Sequence, residues 1–158
     1  MLDLINKLLE PDLGNEPDWA TQELYHSLMY LVHLTDDEQS KLIYHRILYA
    51  VGNNHMGTYY PIVTDALPIL LKVAFEHQHE IVRNCALEVI TDLYLSFVSE
   101  IMGVGSDYTE DELDTLVANE VESHLEQFQA LLDNPEESDR NKFLVKDIVA
   151  HIMKEASR

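Results

Sequence analysis

Histidine and carboxylate are abundant in this chain, eight His beside 29 Asp and Glu, so metal ligation is the first chemistry to consider. The densest group is Glu76-His77-Gln78-His79-Glu80. Two histidines two apart on a turn lack the i, i+4 spacing that lets two imidazoles on one helical face share a zinc ion, and no third ligand is evident. The group reads as a solvated polar turn. Glu120 and His124 stand four apart in a helical stretch, but an ordinary polar helix face presents the same pair. Cys85 adjoins Ala86 in an apolar helical segment, which suits a small core residue better than a nucleophilic thiolate. No Gly-x-Ser-x-Gly elbow, phosphate-cradling loop or dinucleotide fingerprint occurs. No metal and no cofactor are expected, and the chain reads as non-catalytic.

Charge points towards recognition instead. Ten Lys and Arg against 29 acids give a formal net charge of −19 in 158 residues. Such a field repels nucleic-acid phosphates and anionic membranes, and it draws in basic proteins. The acid is unevenly placed: from Glu100 to Asp139 thirteen residues are acidic and none is Lys or Arg. Charge of one sign at this density destabilises a fold by self-repulsion unless something offsets it, and a partner supplying positive charge is the simplest offset.

The elements that must carry these residues are helical. Apolar residues recur at spacings of three and four throughout, as in Leu24, Leu28, Leu31 and Val32, and no stretch alternates with period two, so no sheet is expected. Pro11, Gly14 and Pro17 mark a loop after a short opening helix, and Asp18 is placed to cap the next one. Thr35-Asp36-Asp37-Glu38 and Thr109-Glu110-Asp111-Glu112 both have the form of a capping box, with Tyr108 and Leu113 as a staple at the second. Gly52-Asn53-Asn54-His55-Met56-Gly57 is the richest turn signal and leads into Tyr59-Tyr60-Pro61. A helix with Pro68 inside it follows, to be kinked or restarted there. The next is expected to run from about Glu80 towards Ile101, stopping at Gly103 and Gly105. One long helix then reaches Asp133 and a last one follows Pro135, about seven in all. No membrane-length apolar run of roughly 18 residues occurs, no linker divides the chain, and Met1-Leu2-Asp3-Leu4 does not read as a signal peptide. A single cysteine fits a reducing, cytoplasmic setting.

One segment bears on architecture. Ala66-Leu67-Pro68-Ile69-Leu70-Leu71, a polar turn, then Ile81-Val82-Arg83-Asn84-Cys85-Ala86-Leu87-Glu88-Val89-Ile90 resembles a HEAT repeat, with Val82, Arg83, Ala86 and Ile90 on the characteristic positions. His77 stands where HEAT turns often carry an acid. The match covers about 35 of the 158 residues. It implies an all-α fold, a HEAT-like array of α-hairpins (a short, right-handed α-solenoid) forming one domain over residues 1–158. A globular helical bundle is the alternative. Together with the preceding Gly/Asn loop and Tyr59-Tyr60-Pro61, the segment is similar to HEAT-containing immunity proteins of bacterial polymorphic-toxin and contact-dependent growth-inhibition systems. That resemblance implies a cytoplasmic protein that neutralises a basic toxin domain, usually a nuclease, by covering its active site.

The expected partner-binding residues are Asn54, His55, Tyr59 and Tyr60 of the loop, with Asp107, Glu110, Asp111, Asp114, Glu120, Glu122 and Glu126 of the acidic run. Adjacent tyrosines on a helix cannot both face one core, so one of Tyr59 and Tyr60 is expected to point outward or over the loop. The remaining six tyrosines (Tyr25, Tyr30, Tyr44, Tyr49, Tyr94 and Tyr108) are expected to pack half-buried on helices. The same charge and helices also suit a HEAT-type protein-interaction adaptor unrelated to toxins, and, more remotely, a metal-dependent enzyme or lyase.

Overall fold

A computed structural model describes residues 1–10, 18–101 and 107–157. The expected Pro11–Pro17 loop and the Gly103 and Gly105 helix stops lie outside the described residues. Eight helices are found among those described: α1 (Leu2–Lys7), α2 (Trp19–Leu31), α3 (Asp37–Val51), α4 (Val63–Glu76), α5 (Glu80–Leu95), α6 (Glu110–Glu122), α7 (Leu125–Asp133) and α8 (Asp139–Glu155). The count exceeds the expected seven because the long acidic helix breaks at Ser123 and His124. There the Ser123 hydroxyl and His124 Nδ1 both turn back to the carbonyl of Glu120, at 2.8 Å each.

The chain is an all-α array of helical hairpins. Helix α2 packs on α3, α4 on α5, and α7 on α8, while α3, α5 and α8 also lie side by side as one layer. Four lateral contacts show that this layer runs parallel. Cys85 of α5 reaches the Ser40 carbonyl of α3, and further along Tyr44 donates to Asp92. Asn84 and Tyr94 of α5 likewise meet Asn141 and His151 of α8 in the same order. Parallel helices within a layer, each returning through a partner behind it, are what stacked hairpins produce.

The central helix α4 shows why the core sits where it does. Val63, Ala66, Leu67, Ile69, Leu70, Leu71, Val73 and Ala74 are all buried, a stripe too broad for a helix covered on one side only. Helices α5, α6 and α7 pack around it. Pro68 does not restart it. The helix is continuous, and Pro68 lies on its exposed side, where a carbonyl deprived of its N–H partner can meet water.

Helix starts follow the sequence with one correction. Asp18 caps α2 through Thr21 N–H (2.8 Å), and both arms of the Thr109–Glu112 box are formed. At α3 the cap is Asp36 accepting from Gln39 N–H (2.8 Å), not Thr35, whose hydroxyl meets the Gln39 side chain instead. The cap is shifted by one residue, to the Gln39 amide, and places a full negative charge at the positive end of the helix.

Three two-residue strands are present where none was expected: β1 (Gly52–Asn53), β2 (Thr58–Tyr59) and β3 (Val98–Ser99). Strand β2 pairs antiparallel with β1 (Gly52 opposite Tyr59) and parallel with β3 (Tyr59 opposite Ser99). Two residues cannot display a period of two, so the pattern test had nothing to read. Helix α5 accordingly ends at Leu95 instead of near Ile101, with Ser96 and Phe97 N–H both on the Asp92 carbonyl, and the chain turns into β3.

Candidate functional site

The turn between β1 and β2 begins with Asn53, whose carbonyl and side-chain oxygen both accept from Met56 N–H. It closes at Gly57, the one glycine with positive φ (66°) among the described residues. This hairpin delivers Tyr59 inward. The residue is 2% exposed, and its hydroxyl donates to Asp114 Oδ1 at 2.6 Å. The same oxygen accepts Ser99 N–H at 2.8 Å, and Ser99 Oγ donates to the Glu110 carbonyl at 2.9 Å. The Gly/Asn loop, β3 and α6 are thereby joined through one carboxylate. Neither tyrosine is on a helix as expected, because Tyr59 ends β2 and α4 begins only at Val63; Tyr60 is half-buried and the more accessible of the two.

Beside this junction lies a cavity of about 310 Å3, lined by Tyr59, Asp114 and Glu122 together with Tyr94, Phe97, His151 and Glu155. Tyr94 donates to Glu122 Oε1 at 3.1 Å and meets the edge of His151, ring centroids 5.2 Å apart. Burial, then the hydrogen bond to a carboxylate, pushes the phenol of Tyr59 and that of Tyr94 well above the usual tyrosine range. Both therefore remain protonated donors at neutral pH. The walls offer carboxylates, phenols and an imidazole, a set suited to holding a basic group.

Comparison with protein-family models, with curated proteins and with solved structures gives no match.

The acidic run divides into two jobs. Five of its carboxylates accept hydrogen bonds within the fold: Glu100 from Thr58, Glu112 at the α6 cap, Asp114, Glu122, and Glu137 from Arg83. Bonds from the backbone and hydroxyl of Thr109 hold the Glu112 carboxyl below the ordinary glutamate value. Asp107, Glu110, Asp111, Glu126, Asp133, Glu136 and Asp139 are exposed, and Glu120 is half-buried at the edge of a smaller cavity beside Tyr108 and Leu116. The sequence-based set is thus only partly a surface. Tyr59, Asp114 and Glu122 come together in one cavity as struts. Asp107, Glu110, Asp111 and Glu126 stand outward. Asn54 lies elsewhere, its side chain 3.1 Å from His45 Nδ1, and His55 is exposed on the turn.

Several histidines and tyrosines depart from expectation. His77 is not a solvated turn residue: it is half-buried, its Nε2 donates to the Val32 carbonyl (3.2 Å) and its Nδ1 accepts from His79 N–H (3.2 Å). With both nitrogens used, and with burial holding its pKa down, it is a neutral tie between α2 and α4. His124 stacks on Phe75 at 5.7 Å. Tyr30 and Tyr49 are exposed, the first beneath the Arg46 guanidinium and the second against the edge of Trp19. Tyr94 is half-buried on a helix as expected, but the sequence does not place it with Phe97, His151 and Glu155, because only the parallel packing of α5 and α8 brings them to one place.

Proposed function

We propose that the chain is a binding module for a basic protein, and specifically an immunity protein that neutralises a toxin domain by covering its active site. The observation that carries the reading is the set of exposed carboxylates on and around α6 and α7, Asp107, Glu110, Asp111, Glu126 and Asp133 among them, in a segment without Lys or Arg. Carboxylates so placed pair with the lysines and arginines by which a nuclease holds its phosphate substrate. The association is fast because the long-range field of a −19 chain steers a cationic partner into contact. The resemblance to HEAT-containing immunity proteins supplies the toxin as the partner. Among the described residues no helix is long and apolar enough to cross a membrane.

The test has two stages. Used as bait in lysate of the source organism, the protein is expected to retain one basic toxin domain that raised salt releases. Recovery of ordinary cellular complexes instead favours an adaptor of the HEAT type. With the partner in hand, replacing Glu110, Asp111 and Glu126 with lysine is expected to slow association at low salt by about tenfold or more. Asp114 and Glu122 are left out because their carboxylates hold the fold. An association rate unchanged by the triple replacement would exclude the acidic face as the docking surface.

A further inference from the structure

Ser40 of α3 is 2% exposed, and its hydroxyl has no hydrogen-bond partner among the described residues. An unpaired buried hydroxyl destabilises a fold, and alanine would occupy the same helical position without that loss. The residue lines an open groove of about 470 Å3 across the parallel layer, with Lys41, Tyr44 and His45 on α3, Glu88, Thr91 and Asp92 on α5, and Arg140 on α8. This groove is separate from the cavity beside Tyr59, with which it shares no lining residue.

The groove carries carboxylates and cations, and their pairing decides what it can take. Arg140 is committed: Nη1 lies 2.7 Å from Asp37 Oδ1 and Nη2 lies 3.3 Å from Glu88 Oε1. An anion could recruit it only by breaking two ion pairs. Lys41 is the other formal cation on the wall, against three carboxylates, in a molecule that is itself strongly negative. Tyr44 engages one oxygen of Asp92, Oδ2, and the other remains an acceptor. Thr91 Oγ1 is turned back to the Leu87 carbonyl (2.7 Å) and keeps only acceptor capacity. The surplus in the groove is therefore of acceptors and negative charge.

We propose that this groove is a second binding site, which takes one cationic side chain, guanidinium or ammonium, on the Asp92 carboxylate and the Ser40 hydroxyl. It rests on the reading of the chain as a module for basic proteins only for the source of that cation. Ser40 is then a hydroxyl kept for the ligand at the expense of stability.

The site is tested without the protein partner, by titrating Nα-acetyl-arginine amide, and separately the lysine analogue, into isotope-labelled protein and following backbone amide shifts. The largest changes are expected at Ser40–His45 and Glu88–Asp92, and the better of the two probes identifies the cation. Ser40→Ala is expected to weaken binding by about threefold or more while raising the Tm by about 2–4 °C. Ser27, the other buried serine with an unpaired hydroxyl, lies on α2 outside the groove. Ser27→Ala is expected to raise the Tm with binding unchanged. Asp92→Asn keeps an acceptor for Tyr44 and is expected to weaken binding by about tenfold. The proposal is overturned if the shifts fall on α6 or spread evenly over the acidic surface. It is equally overturned if Ser40→Ala and Asp92→Asn bind as the parent does, or if inorganic phosphate moves the Ser40 amide more than either cation. A basic partner retained on the bait with no probe binding here would sink this site alone. Probe binding here with no such partner would sink the functional reading alone.

Discussion

Glu137→Ala is expected to destabilise the protein by about 3–5 kcal/mol, measured as the shift in a urea or thermal unfolding midpoint. The carboxylate is almost wholly buried and grips Arg83 with both oxygens at 3.1 Å. It also accepts from Asn141 Nδ2 at 2.8 Å. Arg83 Nη1 donates to the His77 and Gln78 carbonyls, at 2.8 and 3.0 Å. One guanidinium thus closes the turn of the α4–α5 hairpin and ties it to the turn before α8. Truncating Glu137 leaves that guanidinium facing a void with little access to water. Replacing both partners together, Arg83→Met with Glu137→Leu, is expected to cost less than the single truncation, because no buried charge is left alone.

The same pair sets an acid limit on stability. Burial by itself would raise the Glu137 carboxyl, but bonds from Arg83, Asn141 and Ser138 outweigh it and hold the group below its ordinary value of 4.5. The unfolded chain consequently takes up this proton before the folded one does. The contribution is complete above the ordinary value and is lost as the pH falls through the lower, folded value. The stability gap between the parent protein and Glu137→Ala is expected to narrow in that acid window and to stay constant above it.

Gly52→Ala is the second substitution with a large expected effect, a loss of about 3 kcal/mol together with displacement of Tyr59. The backbone at Gly52 is extended and would accept any residue, so the obstacle is space. A Cβ there would sit 2.0 Å from the Thr58 carbonyl oxygen and 2.6 Å from the Tyr59 Cα. Both are backbone atoms, and no rotamer relieves them. The β1–β2 pair must open, which draws the Tyr59 hydroxyl off Asp114. Near-ultraviolet circular dichroism reads the change in tyrosine environment, and thermal unfolding reads the cost. A variant with parental stability and an unchanged aromatic signal would show that the pairing is dispensable.

Local chemistry was legible in the sequence wherever a few neighbouring residues decide it. The Asp18 cap, the Thr109–Glu112 box and the turn at Gly57 all follow from spacing within one or two turns of chain. The Val82-Arg83 pattern pointed correctly to a hairpin array. What it did not show is that the acid answering Arg83 comes from Glu137, 54 positions away, with His77 holding α2 at the place where a HEAT turn often has an acid. The break at Ser123 and His124 escaped notice because neither residue forbids a helix; their side chains compete for a carbonyl instead. The acidic run misled in the same way. Composition counts carboxylates alike, whereas Asp114 and Glu122 are spoken for by Tyr59 and Tyr94, which only folding brings within reach. Ser40 and Asp92 drew no attention in the sequence, since a serine and an aspartate on helices look like solvent-facing residues until the parallel layer encloses them.

The chain's only cysteine lies within that layer. Cys85 is fully buried, its thiol touches the Ser40 carbonyl of the neighbouring hairpin, and burial pushes its pKa up to about 11. An alkylating reagent can meet the thiolate only in molecules where α3 has parted from α5. The rate at which the intact protein becomes labelled is therefore a clock for that separation, supplied by the chain itself and needing no engineered reporter.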